Sequence, residues 1–130
     1  AREAPIVLVA GGTGISAMLA LTRQLAAGGD GRPVTVFYGA RTREELVCWD
    51  ELRELVDALG SAELVGALAE SPEDWPGVTG FVTDALAERL KGLSDATFYV
   101  AGPPVMTNAT VDLLTAHGVQ LTDLHYDAFG

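Results

Sequence analysis

Residues 5–15 read Pro5-Ile6-Val7-Leu8-Val9-Ala10-Gly11-Gly12-Thr13-Gly14-Ile15. An unbroken apolar run of this length is the signature of a strand buried on both faces, as in a parallel sheet. Glycines end it abruptly, and Ile15, Met18, Leu19, Thr22, Leu25 and Ala26 then fall on one helical stripe. Strand, glycine turn and helix in this order form the first half of a βαβ unit.

The alternation continues outward. Gly28-Gly29-Asp30-Gly31 stops the first helix, and 33–38 reads as a second strand. Thr42 and Glu45 are spaced as a capping box, followed by a helix with Leu52, Leu55, Val56 and Leu59 inward. Residues 63–69 read as a third strand, 71–80 as an irregular stretch holding Trp75, and 82–91 as a short helix. The pattern closes with a strand over 97–101, a helix over 105–117 and a strand over 124–129. Strands separated by helices predict one α/β domain, doubly wound, with five parallel strands and helices on both faces, because parallel neighbours need right-handed crossovers. The strand order 3-2-1-4-5 is inferred rather than read from the pattern; it sets strands 1 and 4 side by side.

Length and charge narrow the function. The 130 residues suffice for one core. Eight Lys and Arg against 18 Asp and Glu give a formal net charge of -10, which disfavours nucleic acid. No apolar run reaches the ~18 residues of a membrane span, and no secretory leader is visible. One cysteine, Cys48, excludes an internal disulfide and a four-cysteine cluster. A cytoplasmic setting is expected. Cys48 itself reads as a packing thiol inside a helix, and the widely spaced His117 and His125 do not suggest a metal site. The chain starts without Met and enters a strand almost at once, which predicts a piece of a longer polypeptide.

Against this acidic background two stretches carry no charge at all, 5–22 and 97–111. Each contains a glycine turn that opens a helix, Gly11-Gly12-Thr13-Gly14 and Gly102-Pro103-Pro104. Such turns aim backbone N–H groups and the positive end of a helix dipole at an anion, most often a phosphate. In the expected strand order both turns border the crevice at the carboxyl ends of the strands. Residues 12–17 also fit the dinucleotide fingerprint G-x-G-x-x-G/A. A dehydrogenase site of that type would add an acid at the end of the second strand, where this chain reads Tyr38-Gly39-Ala40-Arg41. Hydrolase and ATPase motifs are missing.

Five motifs occur in order: Ala10-Gly11-Gly12-Thr13-Gly14-Ile15, Phe37-Tyr38-Gly39-Ala40-Arg41, Gly77-Val78-Thr79-Gly80, Gly102-Pro103-Pro104-Val105-Met106 and Tyr126-Asp127-Ala128-Phe129. Together they resemble the pyridine-nucleotide-binding domain of the ferredoxin–NADP reductase family, in the form found in reductase components of bacterial multicomponent oxygenases. The resemblance implies a module that presents NADH to FAD held by a neighbouring barrel of the same chain. Electrons would then pass toward an oxygenase or a ferredoxin, and a [2Fe-2S] domain would lie elsewhere if present.

Carried over by position, Gly11, Gly12, Thr13, Gly14 and Ile15 would line the pyrophosphate and nicotinamide side. Gly102, Pro103, Pro104 and Met106 would form the opposite wall, and Phe129 would face the flavin. Gly39 and Arg41 would lie at the adenosine half, with Asp50, one turn into the next helix, near the ribose hydroxyls. Arg41 also keeps NADPH open as the alternative coenzyme, through a 2′-phosphate. The family often has Cys where this chain has Ala101, so no catalytic side chain is assigned. The competing reading is a nucleotide-binding regulatory or interaction domain without redox activity.

Overall fold

The burial pattern of the first strand explains the rest of the architecture: every residue of β1 (Ile6–Gly11) is buried. In the computed structural model, which describes residues 5–28, 32–70, 73–93 and 95–128, β1 lies at the centre of a parallel sheet. Its neighbours are β2 (Val34–Ala40) and β5 (Thr97–Gly102). β3 (Ala62–Leu68) flanks β2, and β6 (Leu124–Ala128) flanks β5. Helices α1 (Ile15–Gly28) and α2 (Trp49–Leu59) cover one face, whereas α3 (Val82–Arg89) and α4 (Pro104–Ala116) cover the other.

Alternation along β1 separates two cores. Ile6, Leu8 and Ala10 pack with Ile15, Met18 and Leu19 of α1 and with Leu52 and Val56 of α2. Val7 and Val9 pack with Phe37, Phe98, Val100, Leu86 of α3 and Leu114 of α4. A central strand with both faces apolar cannot move to an edge without exposing one of them.

The expected order of five strands is present, but the sheet has six. β4 (Val78–Thr79) adds itself outside β3, giving β4-β3-β2-β1-β5-β6. It lies in the stretch expected to be irregular. Two residues are too short for any periodicity, and their pairing with Ala67 and Leu68 exists only in three dimensions.

Three further expectations are corrected in the β2–α2 connection. Thr42 and Glu45 do not start α2: Thr42 makes no side-chain cap, a single 3-10 turn spans Arg43–Glu45, and α2 begins at Trp49. Glu45 instead accepts a hydrogen bond from the backbone N–H of Arg41 at 3.1 Å. Cys48 is not inside a helix; it is exposed, precedes α2 and adopts a left-handed backbone with φ 61°. Asp50 therefore sits in the first turn of α2, not one turn further in.

Trp75 also reaches beyond its own loop. Its ring packs 5.8 Å from that of Trp49 and lies over Gly66 of β3. Among the described residues no helix is long and apolar enough to cross a membrane.

Candidate functional site

Both glycine turns lie at the carboxyl ends of adjacent strands. Ala10 pairs with Ala101, so β1 and β5 end together. After β1 the chain makes one 3-10 turn, Gly12–Gly14, entered through a positive φ of 53° at Gly12. That backbone favours glycine because a Cβ would crowd the main chain. α1 follows directly, and Ile15 turns its side chain into the core, 3% exposed.

The two turns touch one another. A Cβ on Gly12 would lie 3.2 Å from Cγ of Pro103, and one on Gly14 would lie 2.8 Å from the amide nitrogen of Gly102. On the β5 side Pro104 occupies the first turn of α4, where its missing N–H costs nothing. Thr107 is buried, and its hydroxyl donates to the carbonyl oxygen of Gly102 at 3.2 Å, tying α4 to the strand end. The amino ends of α1 and α4 thus lie beside each other where β1 and β5 end, and no charged side chain falls within 5–22 or 97–111.

The structure brings together Gly11, Gly12, Gly14, Ile15, Gly102, Pro103, Pro104 and Met106, with Gly39 beside Gly11 in the sheet. Thr13 belongs to the turn through its backbone. Arg41 and Asp50 lie beyond the end of β2, away from this cluster in the chain path. Phe129 falls outside the described residues.

Around Arg41 the structure adds what the sequence reading missed. The guanidinium lies 3.2 Å from Glu45 and 4.0 Å from Glu70, and the Arg41 carbonyl accepts from the Glu70 backbone N–H at 2.8 Å. The spacing of Glu45 from Thr42 suggests a cap instead, and Glu70 is 29 positions from Arg41 in sequence, so the pairing of β2 with β3 is what brings Glu70 to it. Next to them Arg43 sits over the Trp75 ring at 5.4 Å and 3.9 Å from Asp74.

Tyr38, at the end of β2, is fully buried and donates its hydroxyl to the carbonyl of Val47 at 3.0 Å. Burial pushes its pKa up to about 12, reinforced by Cys48 and opposed by the Val47 hydrogen bond. Val47, Phe81 and Val105 are exposed apolar residues at or just before the amino ends of α2, α3 and α4, all at the carboxyl end of the sheet. A separate recess of about 300 Å³ lies on the outer edge of β3 between the Trp49–Trp75 pair and the Arg89–Glu63 ion pair, away from the glycine turns.

With this arrangement established, the oxidoreductase NAD-binding domain profile matches residues 8–112, most of the chain. The chain belongs to that family.

Other members of this NAD-binding family are similar over almost the whole chain. The reductase component of propane 2-monooxygenase from Mycolicibacterium goodii is 35% identical over 130 residues, covering 96% of this chain and 37% of that protein. The ferredoxin–NAD(P)(+) reductase CarAd of Metapseudomonas resinovorans is 37% identical over 123 residues, covering 93% and 36%. Among solved structures, the FAD/NAD-binding domain of nitric oxide dioxygenase from Vibrio cholerae superposes with a TM-score of 0.87 at 28% identity, covering 100% of this chain and 53% of that one. The chain thus spans little more than a third of the length of the curated relatives it matches.

Proposed function

We propose that this chain is the coenzyme-presenting module of a longer NADH-dependent flavoprotein reductase that passes electrons to an oxygenase or a ferredoxin. The observation that carries this reading is the contact between two uncharged glycine turns, each opening a helix, at the ends of adjacent central strands. In a chain of net charge -10 this is where a pyrophosphate meets two helix amino ends and no carboxylate. When bound, a nicotinamide coenzyme supplies a hydride, and the protein's part is to bind and orient it.

The first turn, Gly11 to Ile15, and the second, Gly102 to Met106, form the two walls, with the main chain as the principal contact. Thr13 belongs to the first wall. Gly39, Arg41 and Asp50 serve the adenosine half; Phe129, outside the described residues, is assigned to the flavin side by the family resemblance alone. A flavin-binding barrel of the same polypeptide sits against the carboxyl end of the sheet; the exposed Val47, Phe81 and Val105 there support such cover. The names of the relatives, oxygenase and ferredoxin reductases, support the acceptor class. A [2Fe-2S] domain would have to lie outside this chain, which has one cysteine.

NADH is the preferred coenzyme. Arg41 is the cation nearest the end of β2, and two carboxylates already flank it. A 2′-phosphate would compete with these two carboxylates for the Arg41 guanidinium. No observation favours a regulatory domain without redox activity.

Anaerobic stopped-flow mixing of the full-length protein with NADH and with NADPH tests the reading. NADH should bleach the flavin absorbance, and NADPH should do so more slowly at equal concentration. Failure of both nucleotides to reduce the flavin would remove the assignment.

A further inference from the structure

The face of the sheet beneath α3 and α4 lacks side chains at its carboxyl end. Gly11 pairs with Gly39 across β1 and β2, and Gly102 ends β5 one residue beyond the Ala10–Ala101 pair. Other elements fill the space. A Cβ on Gly39 would lie 2.7 Å from Cβ of Val82, the first residue of α3. A Cβ on Gly102 would lie 2.7 Å from Cε of Met106, and one on Gly11 would overlap the Met106 sulfur. One thioether therefore occupies the slot shared by both glycine turns.

Gly11 has no backbone reason to be glycine, since it closes β1 without a positive φ. Its only neighbour nearer than 3.6 Å to a Cβ would be that sulfur. Gly12 is different, because its φ of 53° demands glycine whatever surrounds it. The Met106 main chain is held by α4, since its carbonyl accepts from the Thr110 hydroxyl at 2.8 Å and the next residue, Thr107, is bonded to Gly102; a Cβ on Gly11 could therefore be accommodated only by moving the thioether end out of the slot. An unbranched thioether suits an irregular slot between two strand ends.

We propose that Met106 is a positioning residue that sets the separation of the two turns, and that Gly11 is glycine to admit Met106 rather than to admit a ligand. The inference rests on the coenzyme reading above for its functional consequence. Met106 acts through the backbone of both turns, so its loss changes how well the coenzyme is held and leaves the chemistry of the bound coenzyme alone.

The test is a double-mutant cycle in the full-length protein, following NADH-dependent flavin reduction. Met106→Ala should raise the KM for NADH about tenfold with kcat within about twofold, the pattern of lost binding. Met106→Leu fills most of the slot and should stay within about threefold of wild type. Gly11→Ala should also raise KM about tenfold, but by no more than about twofold when combined with Met106→Ala. An unchanged KM in Met106→Ala, or a Gly11→Ala penalty equally large in the double variant, overturns the proposal. If wild type turns over neither NADH nor NADPH, the coenzyme reading itself has failed. The same cycle read by unfolding midpoint then decides the packing claim: a Gly11→Ala loss that persists without Met106 refutes it, and a loss that disappears upholds it.

Discussion

Gly14 rests directly on the main chain of Ala101: a Cβ there would be 2.8 Å from the following amide nitrogen, and closer still to the Ala101 carbonyl. The turn after β1 is therefore seated on the end of β5. Because the obstacle is backbone, no side-chain rotation can relieve it.

Gly14→Ala should consequently cost ~2–3 kcal/mol, as overpacking against a rigid neighbour does. Gly28→Ala is the control. It sits at the end of α1 with nothing within 4 Å of its added carbon, and should be neutral or stabilising by up to ~1 kcal/mol. Urea midpoints of the two variants check both, and equal values would contradict the seating of the turn.

Tyr38 gives a pH signature. Its folded pKa of about 12 stands above the ordinary value of 10, so the folded state favours the neutral phenol. That contribution is complete below pH 10 and is lost as pH rises toward about 12; a rise of this size corresponds to ~3 kcal/mol. Tyr38→Phe should flatten the alkaline loss of stability between those limits. A variant that still loses stability as steeply there as wild type would show that another group is responsible.

The carboxylates around Arg41 should govern coenzyme choice. Glu45→Gln combined with Glu70→Gln releases the guanidinium for a 2′-phosphate, and kcat/KM for NADPH should rise about tenfold with that for NADH within about threefold. Arg41→Ala in the same background should abolish the gain. No change in the NADPH/NADH ratio would mean that the adenosine end lies elsewhere.

Cys48 distinguishes two local structures. A packing thiol would lose stability on truncation. At φ 61° and exposed, Cys48→Gly should instead gain ~0.5–1 kcal/mol by removing the Cβ penalty of a left-handed backbone. Thermal unfolding gives the sign.

The errors of the sequence reading cluster where local signals compete. Thr42 and Glu45 have the spacing of a capping box, yet Glu45 bonds Arg41 instead, and helix formation waits until Trp49. The pattern could not reveal this, because an acceptor four residues before a helix serves either role equally well. Trp75 stands in an irregular stretch with no periodicity to orient it, and its partner Trp49 lies 26 positions away. The two rings meet because Gly66 of β3 leaves room for both.

Fold class and an interior place for β1 were legible in consecutive residues: a strand apolar on both faces must be covered twice, and linkers of helical length make its neighbours parallel. The strand order was an inference, and it rests on pairings such as Ala10 with Ala101, which lie far apart in the chain. The sequence by itself also located the two glycine turns and their lack of charge. Three-dimensional packing was needed to show that Met106 fills the slot of Gly11 and Gly102, that Arg41 faces Glu70, and that a two-residue strand extends the sheet edge. Those contacts join residues far apart in the chain, and their energy comes from shape and charge meeting across elements, which no local pattern encodes.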